Sequence, residues 1–242
     1  MRERPIAAVP KSALLLLGLG LMLQIAWHFS QPLRLAKAED LPQAPSLSAL
    51  RIASLGEPTA LAKVLMLYLQ AFDNQPGISI PFRKLDYGRV QEWLARILQL
   101  DPPGQYPLLA ASRLYGEVPD ETRQRQMLEF VHLQFLDDPS RRWPWLAHAA
   151  ITAKYRLKDL PLARKYAWAI RLHATGSEVP NWAKQMEIFI LEDMGEVESA
   201  KLLIGGLLHS GQITSPHEIR FLSERLKELE ARQKGNQHRM AH

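Results

Sequence analysis

The chain has 242 residues, of which 47% are hydrophobic and 23% are charged, and these values are typical of a folded protein rather than a disordered one. It contains no cysteine, which excludes disulfide bonds, thiolate metal sites, a cysteine nucleophile and a lipid-modified cysteine anchor. The formal net charge is +5, but basic and acidic residues are interspersed and form no basic block. We therefore expect no nucleic-acid partner.

An apolar segment near the N-terminus, Ala13 to Phe29, carries no formally charged side chain. As a helix it would be about 25 Å long, at the short end of what spans a bilayer. Two interpretations remain open: an uncleaved signal anchor, or a signal peptide that is cleaved at Ala36-Lys37-Ala38. That site lies far beyond the densest apolar stretch, Leu14 to Leu23, which favours the anchor.

Basic residues are in excess on the N-terminal side of this segment. Arg2, Arg4 and Lys11 precede it, whereas Arg34 and Lys37 follow it together with Glu39 and Asp40. Because positive residues favour the cytoplasmic side, we expect a single-pass protein of the inner (cytoplasmic) membrane whose main domain faces the periplasm. The predicted divisions are a cytoplasmic tail (1–12), a transmembrane signal anchor (13–29), a Pro-rich linker (30–58), a helical repeat domain (59–233) and a flexible tail (234–242).

The Pro-rich linker is expected to act as a spacer between the bilayer and the domain. It contains prolines among small and polar residues, with one short predicted helix from Ser46 to Leu55.

From Thr59 onward, apolar residues recur at the helical period and predict a succession of helices. Proline and glycine separate them, for example at Pro102-Pro103-Gly104 and Pro139. The last helix starts at Pro216, where Ser215 and Glu218 form a capping box, and is predicted to end near Gln233. Helices with short connections imply antiparallel pairs, which must stack to bury their apolar faces.

Three segments share a spacing of small and apolar residues. They are Val90, Leu94 and Ile97 before Pro102; Ala163, Ala167 and Ile170; and Ala200, Ile204 and Leu207. In this spacing the chain resembles tetratricopeptide repeats, although the 37 residues from Ala163 to Ala200 exceed the usual period of about 34. The resemblance implies an all-α fold of stacked antiparallel pairs, a TPR-like α-solenoid with a C-terminal capping helix. Another α-solenoid and a non-repeating helical domain are the alternatives.

In the tetratricopeptide family, ligand contacts come from the first helix of each pair. The resemblance therefore implies outward, partner-binding positions at His148, Thr152, Tyr155, Gln185, Phe189 and Glu192. A second candidate is Arg141-Arg142-Trp143, because arginine and tryptophan are enriched at interface hot spots. The alternatives are a core position for Phe189 and an ordinary helix start for the Arg-Trp segment.

The insertion Asp73 to Leu85 is long for a connection between helices. Its apolar Ile78, Ile80 and Phe82 predict that it folds back on the domain or onto a partner. Gly205-Gly206, inside an apolar helix, predicts close helix packing.

Chemistry-bearing residues do not form a recognisable catalytic or metal-binding motif. No two histidines have the spacing that places two imidazoles on one metal, and the adjacent carboxylates Asp137-Asp138 and Glu192-Asp193 diverge on a helix. We therefore predict no catalytic residues, no cofactor and no metal.

The resulting functional hypothesis is a membrane-anchored scaffold or assembly factor that binds a peptide or subunit of an envelope complex. The alternative is an envelope enzyme such as a cell-wall hydrolase, which would need two carboxyl groups within about 10 Å in a cleft. A charge-driven membrane or nucleic-acid binder is the third hypothesis.

Overall fold

The computed structural model describes residues 10–30, 38–75, 78–211, 213 and 215–240. The chain divides into two compact units, one made of Met1–Ala38 with Gln75–Ile78 and the other of Glu39–Asn74 with Ser79–His242. Across these residues the structure is helical with almost no strand, which confirms the predicted all-α class.

The first unit holds a single long helix, α1 (Lys11–Ser30), none of whose residues is buried. Its 20 residues extend over about 30 Å, the thickness of the hydrocarbon core of a bilayer. The helix is long and apolar enough to cross a membrane, a property that anchors share with signal sequences. Residues 1–9 of the predicted tail, and the predicted flank and cleavage residues within 31–37, lie outside the described residues.

The second unit contains the remaining helices. They are α2 (Leu47–Ala53), α3 (Pro58–Ala71), α4 (Tyr87–Leu100), α5 (Tyr106–Arg113), α6 (Glu121–Asp137), α7 (Pro139–Tyr155), α8 (Leu160–His173), α9 (Asn181–Lys184), α10 (Met186–Asp193), α11 (Val197–His209) and α12 (Pro216–Met240). Two short strands, β1 (Asn74–Gln75) and β2 (Ile78–Ser79), form a two-stranded sheet, and 3-10 turns cover Phe82–Lys84 and Tyr115–Glu117.

Helix starts are fixed by aspartates and prolines. The carboxylates of Asp86, Asp120 and Asp159 accept backbone N–H donors in the first turns of α4, α6 and α8, at 2.9, 3.1 and 2.9 Å. Proline occupies the first turn of α3, α5, α7 and α8, where its missing N–H costs nothing. The predicted breakers at Pro102-Pro103-Gly104 and Pro139 therefore do separate helices.

Helices that are close in sequence pack against each other. Contacts run from α3 to α4, from α4 to α5 and α6, from these to α7, and on through α8, α10 and α11 to α12. The most extensive contact joins α7 to α8, where Ala149, Ala153, Ala163 and Ala167 are completely buried. Small side chains let the two backbones approach closely. The predicted inward positions of Ala163, Ala167 and Ala200 are confirmed.

Enlarging Ala167 is expected to destabilise the domain. An Ala167→Leu substitution adds volume to a site with 0% exposure, which should cost about 1–3 kcal/mol of unfolding free energy. Thermal unfolding followed by circular dichroism measures the loss. The matched control is Ala231→Leu on the exposed side of α12, which should leave the transition unchanged. Equal melting temperatures for the two variants would contradict this packing.

The second half of the predicted linker belongs to the domain. Leu41 and Leu50 are buried in the main core, and the indole Nε1 of Trp93 donates to the carbonyl of Pro42 at 2.9 Å. The guanidinium of Arg89 also donates to the carbonyl of Leu41. The spacer prediction is therefore wrong for residues 39–53, whereas the short helix predicted there is confirmed as α2.

Three further predictions have clear outcomes. The insertion folds back on the domain, because Ile80 is buried and Phe82 packs edge-on against Tyr115 with ring centroids 5.6 Å apart. The last helix continues to Met240, so the predicted tail is helical through that residue; residues 241–242 lie outside the description. The prediction of close helix packing at Gly205-Gly206 is wrong, because a Cβ atom added at either position would meet no neighbouring atom within 4 Å.

Candidate partner-binding surface

Two ion pairs connect α7 and α10, which carry most of the predicted binding residues, to each other and to α12. Lys154 on α7 pairs with Asp193 on α10, and Glu192 on α10 accepts from Nε of Arg225 on α12 at 2.9 Å. The Glu192 side chain is only 10% exposed. Glu192 therefore binds α12 within the same chain, which corrects the prediction that it points outward to a partner.

Exposed apolar side chains lie along these three connected helices. Four of them, namely Ile151 and Tyr155 on α7, Phe189 on α10 and Phe221 on α12, form what we call the aromatic face. The rings of Phe189 and Phe221 have centroids 6.4 Å apart, and Nζ of Lys154 lies 4.7 Å from the centre of the Tyr155 ring. Aromatic side chains exposed in this way are enriched in protein interfaces.

The sequence places these residues outside by helical spacing. Ile151 and Tyr155 are one turn apart on α7, opposite the buried Ala149 and Ala153. Phe189 has 36% exposure although its neighbours on α10 are buried. The predicted outward position therefore fits Phe189 better than the alternative of a core position.

A second pair of aromatic rings, the half-buried Trp143 and the exposed Trp182, lies near the starts of α7 and α9. Trp143 and Trp182 pack edge to face with centroids 5.4 Å apart, and Trp182 is 53% exposed. Arg141 is exposed nearby on α7 and pairs with Asp138 at 3.4 Å. Trp182 was not among the predicted binding residues. Its position directly after Pro180-Asn181, at a helix start, is the signal that could have indicated an exposed end.

Three of the predicted outward residues are buried. Thr152 and Gln185 are 4% and 5% exposed, and Arg142 is 4% exposed. The guanidinium of Arg142 donates to the carbonyl of Gln134 at 2.6 Å and to that of Pro102 at 3.3 Å, so it ties α7 to two preceding segments. The outward prediction is wrong for these three residues, because each is buried within the domain.

The side chain of His148, on α7, lies beside the 3-10 turn at Tyr115–Glu117 and is half-buried. Its Nε2 is 3.5 Å from Oε1 of Glu117, too long for a well-formed hydrogen bond. Burial, reinforced by the positive charge of Arg113, lowers the pKa of His148, and Glu117 only partly opposes this. The imidazole is therefore neutral near pH 7, and its side chain is 21% exposed.

An open groove of about 440 Å³ lies elsewhere in the second unit, between α3 and the start of α5. Lys63, Leu67, Asp101 and Tyr106 are among its lining residues, and none of the predicted binding residues is. Among the described residues, no group of three or more histidine, aspartate or glutamate side chains is placed to hold a metal ion.

No family model, no curated protein and no solved structure matches this chain. The tetratricopeptide likeness consequently rests on the spacing of residues such as Ala163, Ala167 and Ala200.

Proposed function

We propose that this chain is a membrane-anchored scaffold that binds a protein or peptide partner on its aromatic face. The observation that carries the proposal is the aromatic face itself, a set of exposed apolar side chains held in place by ion pairs across α7, α10 and α12. Solvent-exposed aromatics so arranged are typical of a surface that a partner desolvates.

Two further observations support the scaffold role. Each helix pair packs mainly on the next pair, and buried small residues lie where α7 crosses α8, as a TPR-like solenoid requires. In such an array α7 and α10 are first helices, which line the binding surface. The long polar outer side of α12 suits a capping helix.

Anchoring by α1 would hold the domain near a bilayer. The excess of basic residues before the apolar segment Ala13 to Phe29 favours a cytoplasmic N-terminus and a periplasmic domain at the inner membrane, where the partner would be a subunit of an envelope complex.

Site-specific photocrosslinking in intact membranes tests the proposal. A benzophenone amino acid at Tyr155 or Phe221 should yield the same protein adduct from both positions. The control position is Trp168, which is 46% exposed on α8 and lies outside the aromatic face. A second arm adds Tyr155→Ala and Phe189→Ala together and should reduce the adduct at position 221 at least fivefold. Adducts that form equally from position 168, or none from the aromatic face, would contradict the proposed function.

A further inference from the structure

Helix α3 presents an apolar surface to solvent as well as to the core. Its inner side buries Ala62, Met66 and Leu69, and Lys63 is its single formally charged residue. On its outer side Val64 and Leu67 are 58% and 64% exposed. A helix that is apolar all round is normally buried, so this outer side is suited to contact with another surface.

The exposed residues on this side are spaced as a helix–helix seam. Ala60, Val64, Leu67 and Ala71 are all exposed and follow one another at intervals of four, three and four residues. This is the heptad spacing of a coiled-coil contact, in which small and branched side chains interlock with a partner helix. We call these four residues the α3 seam.

The α3 seam complements itself when two copies run antiparallel. Its order of small, large, large and small side chains is symmetric about the middle of the helix, so Ala60 would meet Ala71 of a second copy and Val64 would meet Leu67. A twofold axis requires such self-complementarity. In this arrangement Lys63 lies beside the uncharged Gln70 of the other copy, so no like charges meet. The dipoles of the two helices point in opposite directions, which is also favourable.

Charge disfavours a lipid surface as the occupant. Residues 39–75 contain four acidic residues and two basic ones: Glu39, Asp40, Glu57 and Asp73 against Arg51 and Lys63. A segment with excess negative charge is repelled by anionic lipid, whereas interfacial helices are usually rich in lysine and arginine.

We propose that the α3 seam is a homodimer interface in which two copies of this chain pack α3 against α3 in antiparallel orientation. The inference goes beyond the scaffold function and does not depend on it. The seam of a 14-residue helix is about 21 Å long, so the dimer is a weak one in solution.

Cysteine crosslinking tests the interface without background, because the chain has no native thiol. The full-length protein is reconstituted at high lipid dilution in phosphatidylcholine vesicles and treated with a bismaleimide that spans about 10 Å. In antiparallel copies, two residues at position 64 are offset by about 5 Å along the helix axis, whereas two residues at position 60 are offset by about 17 Å. Val64→Cys and Leu67→Cys should therefore crosslink at least tenfold more than Ala60→Cys or Ala71→Cys alone.

Mixing separates antiparallel from parallel pairing. An equimolar mixture of Ala60→Cys and Ala71→Cys should give a heterodimeric adduct. The additional substitution Lys63→Glu should leave this adduct in place, whereas the additional substitution Leu67→Glu should prevent it. The control for random collision is Leu202→Cys on α11, a position that is 77% exposed and outside the seam. The circular dichroism of each variant checks its folding.

Three outcomes would overturn the inference: equal crosslinking at positions 64 and 202, efficient crosslinking of Ala60→Cys to itself, or a nitroxide at position 67 that lipid-soluble oxygen reaches and a polar nickel chelate does not. The last outcome would assign the seam to the bilayer. Failure of the aromatic-face crosslinks would leave all three measurements unaffected, so the two proposals fail separately.

Discussion

Replacing Leu16 and Leu19 of α1 by arginine together is expected to release the protein from membranes. Each arginine near the middle of a spanning helix costs about 3 kcal/mol of insertion free energy, so two cost about 6 kcal/mol. That corresponds to a change of about 10⁴ in the equilibrium between inserted and free helix. The fraction that stays in the pellet after carbonate extraction measures the effect, and it should fall from nearly all of the protein to little of it.

The matched control places the same two charges on the domain. Leu133→Arg with Leu202→Arg changes residues that are 55% and 77% exposed, and this variant should remain in the pellet. Release of both variants would show that surface charge, not insertion of α1, decides the distribution. The intact mass of the wild-type protein gives the second control, since a mature chain that begins after α1 would exclude a permanent anchor.

Removing the charge of Arg171 is expected to destabilise the contact between α8 and α10. The carboxylate of Glu187 is 4% exposed and accepts from Nε of Arg171 at 2.7 Å, with Nε of Arg164 more distant at 3.6 Å. Arg171→Leu leaves that buried carboxylate without its closest partner. Because a buried charge that loses its partner is costly, unfolding in urea should show a loss of about 3 kcal/mol.

A double variant distinguishes the charge effect from lost packing. Glu187→Leu with Arg171→Leu removes both charges, so it should be more stable than Arg171→Leu alone. Lys165→Leu serves as the surface control, because its partner Glu129 is 41% exposed and such pairs contribute about 1 kcal/mol or less. If the double variant were no more stable than the single one, the electrostatic explanation would be wrong.

The positions of the helices could be predicted because the signals that set them are local. Proline, aspartate caps and the 3.6-residue period act within one or two turns, and they locate α4, α8 and α12 in the sequence. The burial of Ala163 and Ala167 could also be predicted, since small residues at regular spacing seldom serve any purpose except close packing.

The proposed binding surface was harder to predict because it depends on which helices are neighbours. Thr152 and Gln185 are polar and were expected outside, yet both are buried. Trp182 is apolar and was not predicted as a binding residue, yet it lies exposed at a helix start. Leu41 and Leu50 lie in a Pro-rich segment without a helical period, so the sequence did not predict their burial. The reason for it is visible only in the structure, where the surface of α4 lies next to this segment.

The apolar interior of the second unit consists of two separate clusters. The smaller one joins α10, α11 and α12 through Ile188, Leu191, Ile204, Leu222 and Leu229, while the larger one contains the other buried apolar residues from Leu41 to Ile190. A small cluster at one end of the chain opens at a lower free energy than a large one. We therefore expect the C-terminal helices to detach and re-dock while the rest stays intact, so that amide protons of α12 exchange with deuterium earlier than those of α7.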